Sequence, residues 1–186
     1  MSDKYKIFKG DEAYFVTFTI IDWIKVLADD TFKMILIDSI KYCQLNKGLQ
    51  VYAYCIMPNH MHMIVQAVGD ESVSGILRDI KTHTAKAIAK KLEEDKPEGY
   101  EEILTKFIAA GKPLKRIKKF KVWQDGNQAK LLYGKRFIFE KLNYIHNNPV
   151  EYGLSKVPLD YKFSSATNYA DKPSLLNVIL LSLWQM

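Results

Sequence analysis

Two histidines, His60 and His62, lie two positions apart in the run Tyr-Cys-Ile-Met-Pro-Asn-His-Met-His-Met-Ile-Val over residues 54–65. On a β-strand, residues two apart project from the same face at a spacing of about 6–7 Å. Their imidazoles could therefore converge on one ion such as zinc, manganese or iron, while Met61 and Met63 face the core. An isolated His-x-His is more often structural, and two histidines are only half of a metal site, so a third ligand must come from elsewhere.

The run Lys-Leu-Asn-Tyr-Ile-His-Asn-Asn-Pro-Val over residues 141–150 places Tyr144 and Asn148 four positions apart. Residues at this spacing share one face of a helix, whereas His146 is rotated by about 200° from both. If the helix packs near the histidine strand, the Tyr144 hydroxyl would lie beside a metal that the Asn148 amide oxygen helps to hold. The ordinary alternatives are a half-buried packing role for Tyr144 and a capping role for Asn148.

The elements that must position these residues follow from hydrophobic periodicity and from the positions of Pro and Gly. Strands are predicted over residues 14–21, 50–56 and 60–68, with a fourth, edge strand over 120–123. Helices are predicted over residues 31–47, 73–92, about 102–110 and 135–148, and Pro149 is expected to end the last of these.

The order β-α-β-β-α-β followed by a helix predicts an α+β, ferredoxin-like fold, with an antiparallel sheet, helices on one face and an additional catalytic helix. Such a sheet leaves its other face free for a ligand or a partner. A single domain is predicted over residues 1–170, with a basic insertion at about 93–121, followed by a C-terminal tail over 171–186.

The charge of the chain favours a polyanionic partner. The net charge is +6 with a pI near 9.1, and residues 112–121 contain six basic residues and no acidic one, beside Phe120 and Trp123. Cations and aromatic rings together suit single-stranded nucleic acid, although such a run is as often a solvated loop. Two cysteines, no signal-like N-terminus and no long apolar run favour a reduced cytoplasmic protein that has no membrane partner.

Several short segments of the sequence resemble those of a known family. They are the two runs quoted above together with Leu-Arg-Asp-Ile-Lys at 77–81, Trp-Gln-Asp at 123–125, Gly-Leu at 153–154 and Phe-Ser-Ser at 163–165. In this order the segments resemble the REP-associated tyrosine transposases, which belong to the HUH single-tyrosine transposases, over roughly residues 14–165. Met61 is an acceptable hydrophobic residue at the central position of the HUH motif.

The resemblance implies a metal-dependent single-stranded DNA endonuclease and strand transferase that forms a 5′-phosphotyrosine intermediate and processes REP-type hairpins in DNA transposition. His60, His62 and Asn148 would be the metal ligands, for Mg²⁺ or Mn²⁺, and Tyr144 the nucleophile. Single-stranded or hairpin DNA would be the partner, a location at the nucleoid is expected, and a homodimer is compatible with the family. The candidate DNA contacts are Arg78, Lys81, Lys86, Lys115, Arg116, Lys118 and Lys119.

Two other functions are compatible with the same residues. A domesticated binder of hairpin DNA or RNA would keep the fold and the basic surface without cleaving, and its binding would not respond to chelation. A metal hydrolase would use His60 and His62 to activate water, and it would survive the substitution Tyr144→Phe. The residue that takes the proton from Tyr144 is left open, with Lys141 a weak candidate, and so is the choice between an active site within one chain and one shared between two chains.

Overall fold

The computed structural model describes residues 12–112 and 120–181. In these ranges the chain forms four strands and four α-helices, joined by turns and short 3₁₀ segments. In chain order they are β1 (Tyr14–Thr19), α1 (Asp30–Asn46), β2 (Leu49–Ile56), β3 (His60–Ala67), α2 (Val73–Asp95), α3 (Tyr100–Gly111), β4 (Lys130–Leu131) and α4 (Lys135–Glu151). The predicted first three strands and four helices are thus present, with ends shifted by a few residues.

The strands form one antiparallel sheet in the order β2-β3-β1-β4. This is the ferredoxin-like arrangement, so the predicted α+β fold class is confirmed. β3 lies at the centre, between β2 and β1, and its first residue, His60, pairs with Thr19, while His62 pairs with Thr17. The histidine strand is therefore held on both sides, which fixes the direction in which each of its side chains points.

Helices α1 and α2 cover one face of the sheet. The alternate strand residues that point to this face pack with apolar side chains of the two helices into the main core. Met61 and Met63 both belong to this core, as the strand periodicity predicted. Other members of the main core are Tyr14, Val16, Phe18, Phe32, Leu36, Ile40, Val65, Ile76, Leu77 and Ile80.

Helix α4 packs on the opposite face of the sheet. Leu142 and Ile145 of α4 are buried against Phe15 of β1, Ile64 of β3 and residues of β2, in a second, smaller apolar cluster. His60 and His62 have the same strand parity as Ile64, so their side chains also point to this face. The smaller cluster thus anchors α4 beside the two histidines.

The prediction of an edge strand over residues 120–123 is wrong. Trp123 forms a single isolated bridge with Ile20, and the fourth strand is the short β4, which pairs with β1. The backbone of residues 120–123 is divided between two neighbours: Lys121 N donates to Phe107 O of α3, whereas Val122 O accepts from Ile21 N. The segment therefore lies between α3 and the residues that follow β1, outside the regular ladder of the sheet.

The prediction that Pro149 ends the last helix is also wrong, because α4 continues to Glu151 with Pro149 inside its last turn. The actual stop is Gly153, with a φ of +77°, a left-handed conformation that glycine adopts without steric cost. Gly153 N donates to Val150 O and Leu154 N donates to Pro149 O. This pair of bonds is the Schellman motif, which caps the last carbonyls of α4.

Residues of the predicted C-terminal tail lie against β2. Leu176 is buried in the main core, and Ile179 N donates to Val51 O. The domain boundary at residue 170 stays a prediction. None of the helices in the described ranges has both the length and the apolar character that crossing a bilayer requires.

Candidate active site

His60 and His62 lie side by side at the start of β3, with ring centroids 4.7 Å apart. Both are buried on the face of the sheet that α4 partly covers. Burial disfavours the charged imidazolium, so it lowers the pKa of His60, and it lowers the pKa of His62 to about 3, with smaller contributions from His60 and Lys141. Both imidazoles are therefore neutral at pH 7, which is the form that binds metal ions.

Each ring nitrogen of His60 faces an amide oxygen. Nδ1 is 2.7 Å from Asn59 Oδ1, and Nε2 is 3.3 Å from Asn148 Oδ1. A neutral imidazole carries one proton, and both oxygens only accept hydrogen bonds, so one of the two contacts has no proton. The shorter contact at Nδ1 is the better hydrogen bond, which leaves the Nε2 lone pair facing the lone pairs of Asn148. Two acceptors placed in this way suit a cation bound to both of them.

His62 is positioned by β1. Its Nδ1 is 2.8 Å from Thr17 Oγ1, and its ring stacks on Phe15 with the centroids 5.4 Å apart and the planes at 24°. Both partners lie on the neighbouring strand. Its Nε2 is 3.3 Å from the Tyr144 hydroxyl. The Nε2 atoms of both histidines thus point toward α4.

Tyr144 and Asn148 are presented by α4, one turn apart. Asn148 is buried, whereas Tyr144 is 39% exposed at the edge of the histidine pair. Burial raises the pKa of Tyr144, the Glu151 carboxylate raises it further, and Asn148 acts in the opposite direction. The structure therefore brings together the four residues that the sequence singled out, within one chain.

The donors at this position fit a divalent cation. Two imidazole nitrogens and one amide oxygen converge from a strand and a helix, and the cleft beside them leaves room for substrate or water to complete a coordination shell. In residues 12–112 and 120–181, no group of three or more His, Cys, Asp or Glu could hold a metal. Asn148 is the candidate for the third protein ligand, and its assignment as a ligand stays a prediction.

Lys141 adds a positive charge next to the nucleophile candidate. Its ammonium lies 5.2 Å from the ring centroid of Phe15, 5.4 Å from that of Phe137 and 5.5 Å from that of Tyr144. Cation–π attraction to three rings holds the ammonium in place. Burial and the charge of Lys130 lower the pKa of Lys141.

An open cleft of about 330 Å³ runs past the four residues. Sequence reasoning missed several residues of this site. Thr17 and Thr19 could have been found from the pairing of β1 with β3, and Asn59 from its place before His60. The remaining residues that sequence reasoning missed come from irregular segments or the end of α4. The cleft is lined by Thr17, Thr19, Trp23, His60, His62, Gln128, Tyr144, Asn148, Glu151 and Tyr152.

The predicted DNA contacts on α2 lie across the sheet from this cleft. Arg78 and Lys86 are exposed, and Arg78 lies 3.5 Å from Asp79. Lys81 donates to Gln124 O and Gly126 O, at 2.8 and 2.7 Å, and burial lowers its pKa to about 8. Its ammonium therefore holds a loop at the sheet edge, and a DNA contact of these residues stays a prediction. The other candidates, Lys115, Arg116, Lys118 and Lys119, lie outside the described residues.

The remaining histidines are not part of the cleft. His146 points away from it, as the helical spacing predicted, with Nε2 2.9 Å from Ser165 Oγ and its ring against Tyr169. Burial lowers the pKa of His146 to about 4. His83 is exposed on α2.

The family model of the IS200-like transposases matches residues 13–148. The chain therefore belongs to the IS200-like transposase family, and this membership makes it a DNA-processing enzyme of the transposase class. No curated protein sequence matches the chain.

This chain is similar to several solved structures, two of which are described here. A REP-associated tyrosine transposase bound to a REP hairpin is 19% identical, with a TM-score of 0.66, and the alignment covers 98% of this chain and 96% of that one. This likeness shows a shared fold over nearly the whole length. A transposase-like protein from Deinococcus radiodurans is 17% identical, with a TM-score of 0.45 over 78% of this chain and 97% of its own.

Proposed function

We propose that this chain is a metal-dependent, single-stranded DNA endonuclease and strand transferase that forms a 5′-phosphotyrosine intermediate at Tyr144. The observation that carries the proposal is the distance of 3.3 Å between the Tyr144 hydroxyl and Nε2 of His62. Asn148 Oδ1 is also 3.3 Å from Nε2 of His60, so a nucleophile candidate and three donor atoms share one cleft. Membership of a transposase family supports a phosphodiester as the substrate.

The metal would be Mg²⁺ or Mn²⁺, held by His60, His62 and Asn148. When bound, such an ion supplies a Lewis acid that polarises the phosphate. Asn59 and Thr17 keep the two imidazoles oriented through Nδ1, which leaves both Nε2 atoms directed into the cleft.

Tyr144 would attack the phosphorus atom. A bond forms between the tyrosine oxygen and phosphorus, the bond from phosphorus to the 3′ oxygen of the upstream nucleotide breaks, and the proton lost by tyrosine ends on that 3′ oxygen. The products are a 5′-phosphotyrosine link and a free 3′-OH. The covalent link conserves the ester bond, so a second 3′-OH can attack it and restore a phosphodiester without ATP.

Deprotonation of Tyr144 needs help, because burial and Glu151 raise its pKa above the usual value near 10. The Lys141 ammonium, held 5.5 Å from the Tyr144 ring centroid, would offset the negative charge that develops on the tyrosine and the phosphate. We therefore assign Lys141 as a source of positive charge, and a role of Lys141 as the proton acceptor stays a prediction.

The proposed substrate is single-stranded DNA that ends in a hairpin. The REP hairpin bound by the structural neighbour supports this choice, as does the basic surface of the chain. The proposal needs no second copy of the chain, because Tyr144 and both histidines meet within one chain. A homodimer and a location at the nucleoid stay predictions.

Labelled DNA tests the proposal. Hairpin-tailed single strands carrying a 5′ or 3′ label would be incubated with the protein and Mn²⁺ and separated on denaturing gels. We expect a covalent protein–DNA adduct that carries only the 3′ label, is lost in Tyr144→Phe and persists in Tyr133→Phe, a control at an exposed tyrosine outside the cleft. Metal-independent binding without an adduct would support the non-cleaving binder, and cleavage that survives Tyr144→Phe would support the hydrolase.

A further inference from the structure

Trp23 is an exposed indole at the mouth of the cleft. Its side chain is 57% exposed, and the ring lies edge-on to His60 with the centroids 6.1 Å apart and the planes at 73°. Trp123, by contrast, is 4% exposed and belongs to the main core. More than half of the surface of Trp23 is therefore accessible to a ligand in the cleft.

The backbone that presents Trp23 is strained. Asp22 and Trp23 have φ values of +50° and +56°, in the left-handed region that L residues other than Asn and Asp rarely adopt. Neighbouring polar groups hold this conformation: Trp23 N donates to Ile20 O, and Asn59 Nδ2 donates to Trp23 O. Asn59 also orients His60 through its Oδ1. One buried side chain therefore couples the position of the exposed indole to the candidate metal site.

A second exposed ring lines the same cleft. Tyr152, at the end of α4, is 43% exposed, and the ammonium of Lys25 lies 5.8 Å from its ring centroid. Lys25 is itself exposed, two residues after Trp23. Two aromatic faces and a cation therefore flank the place where the phosphate would lie.

We propose that Trp23 and Tyr152 form a base-stacking subsite for an unpaired nucleotide next to the scissile phosphate, with Lys25 binding a neighbouring phosphate. The position of the scissile phosphate rests on the proposed function, whereas the stacking itself does not require cleavage. Aromatic rings stack on any nucleobase, and a neighbouring lysine binds the backbone, which is the usual combination in single-strand binding sites. A base in a duplex is already stacked, so the subsite selects DNA that is single-stranded at this point.

Binding without cleavage tests the subsite. The Tyr144→Phe protein would be titrated into a fluorescein-labelled, hairpin-tailed single strand in EDTA, and the anisotropy followed. We expect Trp23→Ala in this background to weaken binding by about 5- to 150-fold, the range of one base–aromatic stack, and Trp23→Phe to weaken it less. Tyr42→Ala, at an exposed tyrosine on α1 (58% exposed), is the matched control and should bind normally.

An abasic scan locates the stacked nucleotide. The same strand would be made with one abasic position at a time along the tail. We expect one position at which loss of the base weakens binding by the protein that retains Trp23. At the same position, loss of the base should not weaken binding by the Trp23→Ala protein any further. Equal affinity of Trp23→Ala, or an abasic profile that Trp23→Ala leaves unchanged, would overturn the subsite.

Two controls separate this inference from misfolding and from the cleavage proposal. Glycine adopts the left-handed conformation without steric cost, so Trp23→Gly should leave the melting temperature unchanged. Its affinity for the single strand should fall by the same factor as that of Trp23→Ala. A drop in melting temperature that parallels the loss of affinity would overturn a specific role for the ring. If the protein forms no adduct and Trp23 still governs single-strand binding, the cleavage proposal fails and the subsite stands.

Discussion

The hydroxyl of Tyr144 lies 3.3 Å from Nε2 of His62, although 82 positions separate the two residues in sequence. The contact depends on two separate features of the fold. The alternation of side chains on β3 and the contact with Thr17 direct His62 away from the main core. Leu142 and Ile145 pack α4 against the same face of the sheet. The site is therefore sensitive to residues that never contact the substrate, and Asn59 is the clearest example.

Asn59→Ala should weaken Mn²⁺ binding by about 10- to 100-fold, the usual effect of losing a partner that orients a metal-binding histidine. The substitution removes the 2.7 Å contact at Nδ1 of His60. Electron paramagnetic resonance of free Mn²⁺ measures the affinity directly. His60→Ala should abolish binding, whereas His146→Ala, away from the cleft, should leave it unchanged. Normal Mn²⁺ affinity in Asn59→Ala would argue against the assigned orientation of His60.

Lys141→Met should slow adduct formation by at least about tenfold, which corresponds to ~1.4 kcal/mol of activation free energy. The cause is the loss of the positive charge that three aromatic rings hold beside Tyr144. Single-turnover kinetics with excess protein measure this step. Lys141→Arg, which retains the charge, should recover part of the rate. Equal rates for the Met and Arg variants would show that charge is not what Lys141 contributes.

Acid should destabilise the protein below about pH 6.5, in part through His146. Burial lowers the pKa of this side chain to about 4 in the folded state, so between these two pH values the unfolded chain binds a proton that the folded chain does not. The free energy of unfolding therefore falls as the pH falls, by at most about 1.4 kcal/mol per pH unit for one such histidine.

Urea denaturation over this pH window checks the prediction. His146→Gln should flatten the dependence while leaving a residual slope from His60 and His62, whose pKa values burial also lowers. A slope that His146→Gln does not alter would contradict the role of this side chain.

Gly48→Ala should destabilise the fold by more than about 2 kcal/mol, through backbone strain and a steric clash together. Gly48 joins α1 to β2 with a φ of +66°, and a Cβ there would lie 2.1 Å from Val68 O. Gly69 has a φ of +87° with open space around it, so Gly69→Ala isolates the strain alone and should cost about 1 kcal/mol. Equal losses in the two variants, measured by denaturant titration, would rule out the clash.

Periodicity predicted the part of the site that lies on regular elements. Alternation on β3 placed His60 and His62 opposite Met61 and Met63, and helical spacing paired Tyr144 with Asn148. These predictions needed only local geometry. They succeeded because both elements are long enough for their side-chain directions to be fixed by the buried residues around them.

A local cap and a tertiary contact account for two features that periodicity missed. Helix α4 ends at the left-handed Gly153 with its Schellman bonds, and Pro149 lies within the last turn of the helix. The irregular backbone around Trp23 is held partly by Asn59, which lies 36 positions away in sequence. Neither feature follows from the hydrophobic periodicity of the sequence.

Mass spectrometry of the trapped adduct tests the central claim most directly. After nuclease treatment, tryptic cleavage would yield the peptide over residues 142–156, which contains both Tyr144 and Tyr152. Fragmentation should place the residual 5′-phosphonucleotide on the Tyr144 oxygen. A nucleotide attached to Tyr152, or a cleaved substrate with no nucleotide on the protein, would contradict the assignment of Tyr144 as the nucleophile.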